Sequence, residues 1–332
     1  MRTTRSVTEI VPTHIVREGG GFKVRRPYRM GRVLSPFLLI DEMGPVDYGP
    51  GEALGAPWHP HRGFETVTYL LDGRMRHEDS AGNSGELNPG DVQWMTAGRG
   101  IIHCEEPHEE FLKTGGRTHG FQIWVNLPSS HKMMEPRYQE VPSTESPIVE
   151  QDGVWARVIA GECMGTTSSI DTKIPITLIH VKMKPESRLV QQLQADLNGM
   201  IYVFGGGIKL ENETKVKKSP IAFGIGAKQG IQDGELALLS DGEEDPFGSG
   251  ALRCGNLDCD VMRLPPWLPR SPALRPEAGP LAPPSALHDI HGTSQPVPSY
   301  DTHIMIHHTG AAEGEGPVSA STLASLAMES GA

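Results

Sequence analysis

"HPHRGFETVTYLLDG", residues 59–73, puts two histidines one residue apart at the head of a run that otherwise reads as a β-strand. Successive side chains of a strand point to opposite faces, so His59 and His61 share a face. Glu65 has the same parity and joins them if the strand runs on unbroken. Downstream, "NPGDVQWMTAGRGIIHCEE" (88–106) follows a Pro-x-Gly turn with a second strand, on which His103 and Glu105 again share parity. Two neighbouring strands of a small barrel bring these groups to one point. Three imidazoles and a carboxylate suit Fe, Cu, Ni, Mn or Zn, and the open positions of such a centre take water, dioxygen or an anionic ligand. His-x-His alone is as often a hydrogen-bonded polar patch; the His-x-Glu beyond a turn makes metal binding the reading.

The surroundings of these motifs read as strands. "PFLLIDEM", "ETVTYLLDG", "GDVQWMTAG" and "HGFQIWVNL" have strand length and β-branched or aromatic content. Turn signals at Asp72-Gly73, Ala81-Gly82-Asn83 and Asn88-Pro89-Gly90-Asp91 recur at hairpin spacing. No long stretch of period 3.6 competes with them, so an all-β barrel or sandwich is expected. A second block of the same style, with "WARVIAG", "ITLIHVKMKP" and "GMIYVFGGGIKLE", makes a weak internal repeat and suggests two barrels in tandem. Residues 1–135 form the first, metal-binding unit. Residues 136–244 form the second, which contains no His-x-His and only His180 as an imidazole, and is expected to be metal-free.

From about Asp241 the composition turns proline-rich with no sustained period, and residues 245–332 read as an irregular, disordered tail. A short helix over Ala320–Met328 is marginal on its own. Cys254 and Cys259, with His288, His291, His303, His307 and His308 downstream, fit no compact zinc spacing.

The 332-residue chain carries a formal net charge of -11, which argues against binding nucleic acid through its phosphates. The local exception is "FKVRRPYRMGR" (22–32), a basic island holding Lys23, Arg25 and Arg26 that reads first as a solvated edge strand. Four cysteines make no disulfide framework in a chain this long. The amino terminus lacks the apolar segment of a signal peptide, and no apolar run is long enough to span a bilayer. A monomer in the cytoplasm or nucleus, without membrane contact, is the expectation. Cys104, between two candidate ligands, is turned from them by strand alternation; His77 reads as a hairpin surface residue, His119 as a strand-end polar group, and Gln122 as an inward hydrogen-bonding neighbour of the site.

Trp58 through Pro107 resembles the signature region of the pirin family, two-barrel proteins of the cupin superfamily. "SPFLLIDEM" (35–43) and "HGFQIWVNLPSSHKMMEPRYQEVP" (119–142) resemble the family on either side, and "DGVWARVIAGECMG" (152–165) does so more weakly. The resemblance implies two tandem jelly-roll-like cupin barrels. It also implies one non-haem iron (Fe2+/Fe3+) per chain, held by His59, His61, His103 and Glu105, with Glu65 either a neighbour of the ligands or a structural group. The family's closing segment, of the form GEP…EP…GPFVM, is at most a remnant in "LLSDGEEDPFGSGALRCG" (238–255), so the second barrel lacks its usual closure.

Two functions follow from the resemblance. One is a quercetin 2,3-dioxygenase-like enzyme that opens the heterocycle of flavonols with O2 and releases CO, with Glu105 taking the proton of the 3-hydroxyl. The other is a non-enzymatic regulator whose iron senses redox state and whose basic island at Lys23, Arg25 and Arg26 docks a transcription factor. A cavity wide enough for a flat three-ring ligand favours the enzyme, and a closed one the regulator.

Overall fold

The structure is a computed structural model that describes residues 7–28, 35–193, 197–210, 217–218, 230–240, 249–254, 259–260 and 302–307. The first barrel uses β1 (Val7–Glu18), β2 (Phe22–Pro27), β3 (Phe37–Tyr48), β4 (Ala56–His61), β5 (Phe64–Asp72), β6 (Met75–Asp79), β7 (Ser84–Leu87), β8 (Val92–Thr96), β9 (Ile101–Pro107), α1 (Glu109–Thr114), β10 (Gly116–Asn126) and β11 (Arg137–Val141). The turns are those the sequence encodes. Between β7 and β8, Gly90 takes φ +89° and the Asp91 carboxylate accepts the Asn88 N–H at 2.8 Å. After β6, the Asp79 carboxylate accepts the N–H groups of Ala81 and Asn83.

One face of this barrel is the four-stranded sheet β4-β9-β6-β7. The other is the run β11-β8-β5-β10-β3-β2 of a fifteen-stranded sheet. That sheet continues through β1 into Glu235–Leu239, Met200–Val203, Thr302–His307, Leu178–Met183, β13 (Val154–Ala160) and β12 (Ile148–Gln151). A second four-stranded sheet, from Arg188–Gln192, Ser249–Cys254, Gly207–Leu210 and Ile231–Gln232, lies in the second half of the chain. The molecule is therefore two jelly-roll barrels built on one shared sheet.

Three features differ from expectation. β11 lies past residue 135 yet pairs with β8 and belongs to the first barrel. β1 serves both halves, pairing Glu235–Leu239 on one side and β2 on the other. Within the stretch expected to be irregular, Thr302–His307 is a strand between Leu178–Met183 and Met200–Val203, Ser249–Cys254 pairs Arg188–Gln192, and Cys259–Asp260 pairs Lys182 and Met183. Local composition hid them because their partners lie far back in the chain. The helix expected at Ala320–Met328 and the side chains of the cysteine–histidine group around Cys254 lie outside the described residues.

Alternation on the shared sheet decides where the core sits. Val67 and Tyr69 of β5, Val92 and Trp94 of β8, and Ile123 and Val125 of β10 face Ile159, Ile176, Leu178, Met200 and Tyr202 in one buried cluster between the barrels. Burial of each such side chain stabilises by about 1.5–3 kcal/mol. The second barrel's interior is a separate aliphatic cluster that includes Val154, Val158, Ile179, Val181, Ile201 and Ile231. Across the seam the Tyr69 hydroxyl meets His180 Nδ1 at 2.7 Å. The other face of β5, β8, β10 and β3 looks into the first barrel, where a cavity opens.

Candidate metal centre

β4 and β9 run antiparallel with His59 opposite His103. His61, two residues from His59, turns to the same side, and candidate ligand nitrogens of His59, His61 and His103 all lie within 4.8 Å of one another. Each ring is prepared differently. His59 Nδ1 lies 2.7 Å from the Pro57 carbonyl oxygen. A carbonyl has no proton to give, so Nδ1–H donates and Nε2 keeps its lone pair. Burial, reinforced by His59 and His103, holds His61 well below the ordinary imidazole range and therefore neutral. Its ring is gripped by Phe64 and Trp124, at centroid distances of 5.0 and 5.2 Å.

His103 is the informative member. It is wholly buried, and among the described residues neither ring nitrogen has a hydrogen-bond partner. Burial also lowers its pKa. An imidazole with two orphaned nitrogens in a barrel wall is costly unless something electrophilic meets one of them. The donor set fits a borderline metal ion such as iron, bound by His59, His61 and His103.

Glu105, expected as the fourth ligand, shares the inward face of β9, but the structure does not bring it into that 4.8 Å group. It is held by the opposite wall: Gln122 Nε2 donates to its Oε2 at 2.9 Å and its Oε1 at 3.1 Å, and Thr68 Oγ1 donates to Oε1 at 2.9 Å. Gln122 therefore stands where the sequence placed it. Thr68 was missed, although its even parity on β5 puts it on the inward face. His77, expected at the surface, is 2% exposed and sits in register with Glu105, its Nε2 2.8 Å from Glu140.

Glu65 is not at the site. β4 ends at His61, Gly63 takes φ +77°, and β5 begins at Phe64 in the other sheet, so parity restarts across the break. Glu65 shares its face with Val67 and Tyr69, toward the second barrel, and accepts from Thr96 Oγ1 at 2.6 Å. Burial raises its pKa despite that bond.

The basic island is also rearranged. Arg25 pairs with Glu42 at 2.7 Å and Asp233 at 2.9 Å; Arg26 pairs with Asp41 and Glu18, both at 2.6 Å. These arginines are neutralised within the fold instead of forming a free cationic surface. Lys23 stands at the cavity mouth. His119 turns to the seam, its Nε2 3.0 Å from Glu42.

Above the histidines lies a cavity of about 980 Å³. His59, His61, Glu105 and Gln122 form its polar floor, and Leu39, Met43, Phe22, Phe64 and Trp124 are among its apolar walls. Trp58 and Leu54 stand at its edge, 55% and 47% exposed. Gly55 closes one corner so tightly that a Cβ there would come within 2.5 Å of the Glu105 carbonyl oxygen.

Comparison with known proteins places this arrangement. A family model described as Pirin matches residues 21–125. Human Pirin is 40% identical over 246 residues, covering 73% of this chain and 77% of that protein. Pirin-like protein 2 of Arabidopsis thaliana is 40% identical over 231 residues, covering 67% and 68%. Among solved structures, a quercetin 2,3-dioxygenase from Acinetobacter baumannii superposes with a TM-score of 0.71 at 26% identity, over 98% of this chain and 96% of that one. GK1651 from Geobacillus kaustophilus shares the fold at a TM-score of 0.67 and 24% identity, over 96% and 100%.

Proposed function

The chain belongs to the pirin family, and from that membership we propose that it is an iron-dependent dioxygenase that opens the heterocycle of flavonols such as quercetin with O2 and releases CO. The observation that carries the proposal is the cavity: about 980 Å³ of largely apolar space opening directly onto His59, His61 and Glu105. That volume lies at the top of the range for small-molecule sites and admits a flat three-ring ligand. The quercetin 2,3-dioxygenase structure that resembles this chain along nearly its whole length supports the same reading.

In this proposal His59, His61 and His103 hold the metal with Glu105 beside them, and iron bound there supplies Lewis acidity and redox capacity. The residues of the chain do the rest. Phe64 and Trp124 form an aromatic wall, their ring centroids 4.8 Å apart, against which a planar substrate packs. Glu105, fixed by Gln122 and Thr68, is the base for the substrate's 3-hydroxyl proton. Donation by those two neighbours holds the carboxylate in one orientation while it waits. Apolar surroundings keep water from competing for the same proton.

The regulatory reading receives less support, because Arg25 and Arg26 are consumed by internal ion pairs. The deciding test is anaerobic iron loading, metal analysis, then quercetin turnover under oxygen. Stoichiometric iron with quercetin loss and CO release, both abolished in His61→Ala, is the expected result. Bound iron without turnover would overturn the enzymatic proposal.

A further inference from the structure

Arg25-Arg26 on β2 faces Asp41-Glu42 on β3, with Arg25 in register with Glu42. Alternation splits this block of four charges. Glu42 turns to the seam, where it meets Tyr202, and Arg25 follows it. Asp41 turns the other way, with Leu39 and Met43, into the cavity wall. Its two oxygens accept from Arg26 Nε and Nη2, each at 2.6 Å, while Arg26 itself does not line the cavity. Arg26 thus backs a carboxylate that is presented to the ligand space.

Asp41 also has a defined place relative to the histidines. It is in register with Gln122, which is in register with Thr68, and these two hold Glu105. Neighbouring strands lie roughly 5 Å apart, so Asp41 stands one strand beyond the group that fixes Glu105. Among the polar groups that line the cavity, His59, His61 and Glu105 make one station and Asp41 another, the latter with Glu18 accepting from the same Arg26. Lys23, Arg62 and Arg74 also line it. Leu39 and Met43, which flank Asp41 on its own strand, are apolar.

We infer that Asp41, held by Arg26, is a second recognition point of the cavity and accepts a hydroxyl from the part of a flat aromatic substrate that lies away from the histidines. The inference rests on the flavonol reading and narrows it to polyphenols that carry a hydroxyl donor on an outer ring. A carboxylate is an acceptor-only group, and one bond per oxygen to Arg26 leaves each oxygen free to accept again. Burial opposes the charged form here, since it pushes Asp41 up to about 6 against the pull of Arg26. A donor arriving with the substrate gives that charge the hydrogen bond that the apolar wall withholds. An analogue without the hydroxyl forfeits it.

The test is equilibrium binding under argon, by quenching of tryptophan fluorescence, to the iron-loaded full-length chain. The probes are quercetin and 3-hydroxyflavone, which shares the metal-facing group and lacks every outer hydroxyl. The wild type should bind quercetin at least about tenfold more tightly. Asp41→Asn should bring the two affinities together and leave that for 3-hydroxyflavone unchanged. An unchanged ratio in Asp41→Asn, or equal affinities in the wild type, would overturn the inference. If the variant does not fold, the wild-type ratio decides, for the inference at tenfold and against it at unity. Binding of neither compound would instead remove the flavonol reading, and the role of Asp41 with it.

Discussion

The Tyr202 hydroxyl donates to Glu42 Oε2 at 2.6 Å, joining the two barrels through two residues 160 positions apart. Glu42 is fully buried and also accepts from Arg25 Nε at 2.7 Å, with His119 Nε2 at 3.0 Å. Burial, then the charge of Glu42, raises the Tyr202 pKa far enough that the phenol stays protonated and donates. Tyr202→Phe removes one donor from a buried carboxylate and should destabilise the protein by about 1–3 kcal/mol. Urea unfolding of the variant measures this, and a loss below a few tenths would show that the other donors suffice.

His103→Leu separates stability from metal binding. The wild-type ring is buried with both nitrogens unpartnered, so an apolar replacement of similar size removes an unsatisfied group. Metal-free His103→Leu should melt no lower than metal-free wild type. The rise in melting temperature that iron gives the wild type, a consequence of ligand binding to the native state alone, should disappear.

Thr68→Val deletes one of the donors that orient Glu105 at almost constant volume. In the proposed reaction kcat should fall about tenfold, equivalent to about 1.4 kcal/mol of barrier, with KM little changed. Thr68→Ser, which restores the hydroxyl, should recover most of the rate. A parallel rise in KM in Thr68→Val would point instead to a reshaped cavity.

Asp41 predicts a pH dependence of unusual sign for an acid in an ion pair. Its pKa is raised from 3.8 to about 6, with burial outweighing Arg26. Between these values the folded chain holds a proton that the unfolded chain has released. The residue's contribution to stability is therefore full below about pH 4, is lost as pH rises through 6, and is flat beyond. The difference in unfolding free energy between wild type and Asp41→Asn should fall by on the order of 3 kcal/mol across this window. If it rose instead, Arg26 would be dominating burial.

What the sequence revealed and what it hid have separable causes. His59, His61 and His103 were legible because strand parity is local and each motif lies within one strand. Glu65, open in the sequence between a neighbour of the ligands and a structural group, is the latter, because Gly63 moves the chain from one sheet to the other and parity does not survive a change of sheet. Arg25 and Arg26 looked like a free basic surface because their acidic partners sit on other strands: Glu18 on β1, Asp41 and Glu42 on β3, and Asp233 more than two hundred residues on, and only strand pairing brings them together. Thr68 carried no signal beyond its place on the inward face of β5. Thr302–His307 does alternate, with Ile304 and Ile306, but its proline-rich neighbourhood masked a strand whose partners lie more than a hundred residues earlier.

The pairing of β2 with β3 has a mechanical consequence. The same two strands that present Asp41 to the ligand space present Glu42 to Tyr202, one residue serving each side of the sheet. Two domains on a linker ordinarily swing freely. Here the wall of the binding chamber is also part of the joint, one sheet of hydrogen-bonded strands running through both halves in place of a linker at the seam.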